Sequence, residues 1–198
     1  MSRPIAKDHD AKRAHILKEA ARVFAEHGFA RASMAMVARE CGISKANIYH
    51  YYPGKDALLF DILDSYLSAL RDRVAGLPLA GLAPGEQLGR IVAETLLAYE
   101  GMDHEHKIQT EGIALLEPGQ QEILKSYQRD MVAQMSGVVA RIAPGVFEGE
   151  PRKLKATVMS VFGMINWFYM WNRSADRRAR EEYAELVTRL TLKGVEGL

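Results

Sequence analysis

The chain has 198 residues, 26 basic and 25 acidic, is 48% hydrophobic and holds one cysteine, so it is long enough to bury a core without a disulfide or metal staple. Cys41 has no partner within the chain, and residues 1–15 (MSRPIAKDHDAKRAH) carry neither an apolar run nor a small-residue cleavage site; both features speak against export and predict a reducing cytoplasm. The balanced total conceals an asymmetry: residues 1–55 hold ten Lys/Arg against five Asp/Glu, net +5, and residues 56–198 hold sixteen against twenty, net −4.

A polyanionic partner therefore belongs at the N-terminal end, unless the excess is an ordinary solvated basic surface. After a polar arm, Ile16, Leu17, Ala20, Ala21, Val23 and Phe24 recur at helical spacing, which predicts an amphipathic helix over about 11–27 stopped by Gly28. Ser33 caps a short second helix whose Met36 and Val37 face inward, and Cys41-Gly42 closes it. Ser44 caps a third, Lys45 to Tyr51, ended by Pro53-Gly54. Residues 55–75 read as a longer helix with Leu59, Ile62, Leu63, Tyr66, Leu67, Leu70 and Val74 on one side.

Beyond Gly76 and Pro78 no alternating strand pattern occurs, and helical stretches fall near 85–101, 104–116, 119–143, 152–172 and 179–194. The fold class is all-α. The boundaries read as 1–54 for one domain and 55–198 for a second, with 55–75 as the linking helix. Residues 156–172, ATVMSVFGMINWFYMWN, are apolar around the whole circumference. The stretch is at the lower length limit for a membrane span, contains Asn166 and Asn172, and stands alone in a polar chain, so no membrane partner is expected. A helix apolar all round needs cover on every side, by its own core and by a partner chain, which predicts a homodimer.

Two short helices joined by a glycine-containing turn, with a polar second helix and a basic flank, are what a helix-turn-helix needs to reach DNA. The second reads SKANIYHYY. Ile48 and Tyr52, four apart, face the core and leave Lys45, Asn47, Tyr49, His50 and Tyr51 on other faces: a cation, an amide for a base edge, and hydroxyls for phosphate. Ala46 is small enough for close approach.

Residues 33–59, SMAMVARECGISKANIYHYYPGKDALL, resemble the signature of TetR-type transcriptional regulators, and RAHILKEAARVFAEHGF at 13–29 is similar to that family's first helix. Tyr52 departs from the usual phenylalanine, and the expectation is the same core role with the hydroxyl reaching outward. The resemblance implies a ligand-responsive repressor, not an enzyme, bound to a palindromic double-stranded operator. It implies that Ser33, Lys45, Tyr49, Tyr51 and Lys55 hold phosphates, with Ala46, Asn47 and His50 nearest base edges. Ser33 and Ser44 also serve as plain caps, and Tyr51 has the alternative of packing on the first helix. Arg3, Lys7, Lys12 and Arg13 either reach the DNA or form a solvated arm.

By the same resemblance the C-terminal helices enclose a small-molecule effector and the last two pair in a dimer. The dimer candidates are Trp167, Phe168, Met170, Trp171, Tyr183, Leu186, Val187 and Leu190, with intrachain core as the alternative for each. The effector candidates are Tyr99, Gln109, Tyr127, Met131, Met135, Val138, Met164 and Asn166, with plain core again the alternative. The GMINWFYMWNR run resembles TetR-type regulators of fatty-acid, steroid and aromatic-acid catabolism, which implies an acyl-CoA or aryl-CoA thioester, its phosphates met by Lys107, Arg152, Lys153, Arg173 or Arg177.

Other signals are weaker. Asp103, His104, Glu105 and His106 lack the i, i+4 histidine spacing of helical zinc sites and read as a solvated helix start, so no metal is expected. Cys41 reads as a small buried residue and not a redox sensor. No GxSxG, P-loop or nucleotide-binding glycine motif occurs and no carboxylate pair stands out, so neither an enzyme nor a cofactor is expected; a helical interaction or ligand-binding module without specific DNA binding remains as the alternative.

Overall fold

The computed structural model describes residues 3–172, 175–195 and 197, with side chains from residue 9 onward. Among these residues there are ten α-helices, one 3-10 turn and no strand. In chain order they are α1 Arg3–His27, α2 Met34–Glu40, α3 Lys45–Tyr51, α4 Lys55–Ala75, α5 Pro84–Ala98, α6 Asp103–Gly112, the 3-10 turn Ile113–Leu115, α7 Pro118–Ile142, α8 Pro144–Phe147, α9 Pro151–Trp171 and α10 Arg177–Val195. No described helix is long and apolar enough to cross a membrane.

Helix α1 begins at Arg3, so the segment expected as a polar arm before residue 11 is helical. Pro4 suits a first turn, and no glycine or further proline interrupts the residues after it. Proline likewise opens α5, α8 and α9 as Pro84, Pro144 and Pro151, where its missing N–H costs nothing. Gly28 ends α1 at φ 79°, and Gly42 takes φ 66° in the turn between α2 and α3. Both backbone conformations strain any residue with a Cβ.

The described chain falls into two compact units. One comprises the chain up to Leu67 with His104–Lys125, and the other comprises Ser68–Asp103 with the chain from Ser126 onward. In the first, Ile16, Ala20, Phe24, Val37, Ile48, Leu58, Leu59 and Ile62 are buried. On α2 it is Met34, Val37 and Ala38 that face inward, while Met36 is half-buried. Gly112 of α6 lies against Leu63 and Leu59, where a Cβ would stand 3.3 and 3.4 Å from their methyl carbons.

Glu105 and His106 are buried, contrary to the expected solvated helix start; His106 Nδ1 lies 2.8 Å from the Tyr66 hydroxyl. Burial of that pair explains why the histidine is on the inner face of α6. In the second unit, Leu88, Ile91, Leu96, Met135, Val139, Val158, Ile165, Phe168 and Val187 form the core. Arg180 is buried with them: its Nε donates to Ala175 O at 3.2 Å, its guanidinium to Leu96 O at 3.2 Å, and Asp103 stands 3.8 Å away. A buried guanidinium thus sits on the carbonyl end of α5, where the helix dipole favours a cation.

Candidate nucleic-acid interface

Helix α3 is seven residues long and gains its start from Ser44, whose hydroxyl accepts from Asn47 N at 3.1 Å. Ser33 performs the same task for α2, accepting from Met36 N at 3.2 Å. The helix is anchored by fully buried Ile48 and, at its C-cap, by buried Tyr52. That anchorage leaves Lys45, Ala46, Asn47, Tyr49 and His50 exposed, so the polar face predicted from spacing is the face presented to solvent. Tyr51 is half-buried, its ring stacked on His9 of α1 at 5.1 Å.

Several charges near this face are used within the chain. Lys55 Nζ donates to Phe29 O at 2.8 Å and Ala30 O at 3.3 Å and lies 4.7 Å from the Phe29 ring centre. Arg13, an expected DNA contact, instead pairs with Asp61 of α4 through Nε at 3.0 Å and through its terminal nitrogen. The Tyr52 hydroxyl, expected to reach outward, donates to the same carboxylate. Burial, then the hydrogen bond to Asp61, pushes the Tyr52 hydroxyl well above the ordinary phenol range. Arg22 joins Glu19 and Glu40, tying α1 to α2. Three elements, α1, the end of α3 and α4, therefore meet at Asp61. This network and the buried Arg180 carry no sequence signal, since neither spacing nor composition marks which exposed-looking charges turn inward.

Cys41 is buried, and its thiol is pushed up to about 11 by burial and by the neighbouring Glu19 and Glu40. A thiol so disfavoured as thiolate suits packing.

The effector candidates are distributed. Tyr99 and Asn166 meet, hydroxyl to amide oxygen at 2.7 Å, and burial pushes the Tyr99 hydroxyl up. Met131, Met135 and Val138 are buried on α7. Tyr127 is half-buried, with the Arg71 guanidinium 4.9 Å from its ring centre. Met164 faces a groove between α9 and α10, and its carbonyl accepts from the Tyr183 hydroxyl at 3.1 Å. Gln109 belongs to the other compact unit, where its Oε1 is buried with no hydrogen-bond partner among the described residues. Of the proposed phosphate cations, Lys107 donates to Ala25 O at 2.7 Å, Arg177 pairs with Glu181 at 2.9 Å, Arg152 is exposed and Lys153 lines the α9–α10 groove. Arg173 lies outside the described residues, and nothing is described of the Arg3 and Lys7 side chains.

The dimer candidates divide by burial. Phe168 and Val187 belong to the intrachain core, Tyr183 is half-buried and stacks on Phe168 at 4.6 Å, and Trp167, Met170, Trp171, Leu186 and Leu190 are exposed.

Two short capped helices joined by a turn at Gly42, the second anchored by one buried face and offering a polar one, define a helix-turn-helix protein. Residues 16–62 match the family described as bacterial regulatory proteins, tetR family, and residues 81–195 match the tetracyclin repressor-like C-terminal domain. The chain belongs to the TetR family of transcriptional regulators.

The HTH-type transcriptional regulator YerO of Bacillus subtilis is 35% identical over 79 residues, a match spanning 39% of this chain and 27% of that protein. A TetR-family regulator from Bordetella parapertussis is 27% identical, with a TM-score of 0.85 over 94% of this chain and 96% of that one. AibR, solved in complex with isovaleryl coenzyme A and operator DNA, is 22% identical, with a TM-score of 0.76 over 90% of this chain and 97% of that one.

Proposed function

We propose that this chain is a homodimeric repressor that holds a palindromic operator through α3 and releases it when a small, mainly apolar effector binds the C-terminal helices. The observation that carries the DNA reading is the exposure of Lys45, Ala46, Asn47, Tyr49 and His50 around a helix fixed by Ile48. Residues 1–54 form the DNA-binding domain in this reading, and 55–198 bind effector and partner. Asn47 and His50 meet base edges with Ala46 admitting close approach, and Lys45 and Tyr49 hold phosphate. Ser33, Ser44, Tyr51 and Lys55 act chiefly by setting the helices that carry those groups.

The effector is an acyl-CoA or aryl-CoA thioester. The fold shared with AibR and the flexible Met131 and Met135, one turn apart on α7, support that class. Such a ligand releases DNA only by binding the DNA-free conformation more tightly than the bound one. The decisive experiment is a gel shift of the full chain on DNA upstream of its own gene, against unrelated DNA of equal length, with and without an acyl-CoA panel. Specific, salt-steep retention is expected. Equal retention of both DNAs removes the repressor reading; retention unmoved by every thioester removes the effector class alone.

A further inference from the structure

Helix α1 starts at Arg3, so His9 is held inside a regular helix and not on a loose arm. Its imidazole lies flat on the ring of Tyr51, with 5.1 Å between ring centres and 25° between the planes. The His9 side chain remains 61% exposed, so the ring is fixed without being buried. The two adjacent tyrosines thus act differently: Tyr52 turns its hydroxyl inward to Asp61, while Tyr51 offers a ring face to α1.

The place of this stack follows from α3. Ile48 is the buried anchor, and Ala46 and His50, two residues to either side of it, stand opposite on the exposed face. Asn47 and Tyr51, one turn apart, make one flank of that face, and His9 lies against that flank. A helix with its side chains is about 10–12 Å across and the major groove about 12 Å wide, so a helix seated there fills it and its flanks meet the sugar-phosphate walls. A group one layer outside the flank, on α1, stands over the phosphates of that wall.

The charges around His9 suit an anion there. On α1, Asp10 stands 3.9 Å from Nδ1 and is 82% exposed, and Lys12 and Arg13 follow on the next turn; on α3 the neighbours are His50 and the Tyr51 phenol. The α4 carboxylate on this side, Asp61, is already taken by Arg13 and Tyr52. The face of a tyrosine ring is negative, which favours an imidazolium over a neutral imidazole.

We propose that His9 is a phosphate-binding residue of the DNA interface, positioned by Tyr51, and that it acts as an imidazolium, so that DNA is held more tightly in mild acid. Histidine is the side chain whose charge ordinarily changes between pH 5 and 8. A phosphate stabilises its protonated form only in the complex, so binding takes up a proton and affinity falls as pH rises through that range.

The inference rests on the DNA-binding reading above, and the test separates the two. Gel shifts of the full chain, on DNA upstream of its own gene and on an unrelated duplex, are run at pH 6 and pH 8 at one ionic strength. His9→Gln should keep its helicity and bind both DNAs about tenfold more weakly than wild type at pH 6, with a salt slope lower by about 0.9 per protomer. At pH 8 the two proteins should bind alike. His50 contributes equally to both proteins, so their ratio isolates His9. His9→Lys, charged at either pH, should restore at pH 8 the affinity that wild type shows at pH 6. No retention of either DNA overturns the DNA-binding reading and this inference with it. Retention with a wild-type to His9→Gln ratio that is the same at both pH values overturns only the inference.

Discussion

Replacing Tyr52 with phenylalanine deletes one oxygen from the point where α1, the end of α3 and α4 meet. The ring is buried, and phenylalanine is the usual residue of the family signature, so the packing survives. The loss is a hydrogen bond to an ionised carboxylate, a class whose net contribution is about 1.5–3 kcal/mol. Asp61 keeps Arg13 and its side chain is 20% exposed, so the carboxylate is not stranded and the lower figure, about 1.5 kcal/mol, applies. For a chain of this length that lowers Tm by roughly 3–6 °C. The pH dependence is more diagnostic. Burial and Asp61 hold the Tyr52 hydroxyl protonated in the fold, above the ordinary value of 10.0 that governs the unfolded chain. Its stabilisation is therefore fully present below about pH 10 and declines as pH rises beyond it, because only the unfolded state ionises there. Urea unfolding followed by circular dichroism from pH 7 to 11 should show the wild type exceeding Tyr52→Phe by a constant margin up to about pH 9 and converging with it above 10. Equal stability of the two proteins at pH 7, or a margin that widens above pH 10, would refute the Asp61 network as drawn.

Asn47→Ala should relax preference at one operator position by about 1–3 kcal/mol, read by selection from a randomised DNA pool; an unchanged preference profile removes Asn47 from the reading face. Cys41, with its thiol pushed up to about 11, should be about a thousandth thiolate at pH 8 and react with a disulfide reagent only as the fold opens. A rate as fast as that of the urea-unfolded chain would contradict its burial. Met135→Trp, at a fully buried position, should cost about 1–3 kcal/mol by overpacking if α7 is solid core. If the variant keeps wild-type stability, dimer and DNA binding but loses its thioester response, it has filled a cavity.

The elements were legible because short-range rules decide them. Ser33 and Ser44 announce α2 and α3, and the hydroxyls accept from the backbone where capping requires. The spacing of Leu59, Ile62, Leu63, Tyr66 and Leu70 gives the buried face of α4. Helix α8 was missed because Pro144–Phe147 is a single turn with no periodicity to read. The exposed polar face of α3 is legible for the same local reason: one buried isoleucine in seven residues fixes where the others point.

What the sequence leaves open is long-range pairing. Arg13, Lys55 and Lys107 all look like solvent-facing cations, yet each finds an oxygen 48, 26 or 82 residues away. A net charge of +5 over residues 1–55 thus overstates the field that reaches a DNA backbone, because Arg13 is paired with the carboxylate of Asp61, which lies outside that count. The same limit applies to α9. An apolar circumference predicts cover on every side, but only the structure separates Phe168, already covered by Tyr183 and Arg180, from Trp167, which is not.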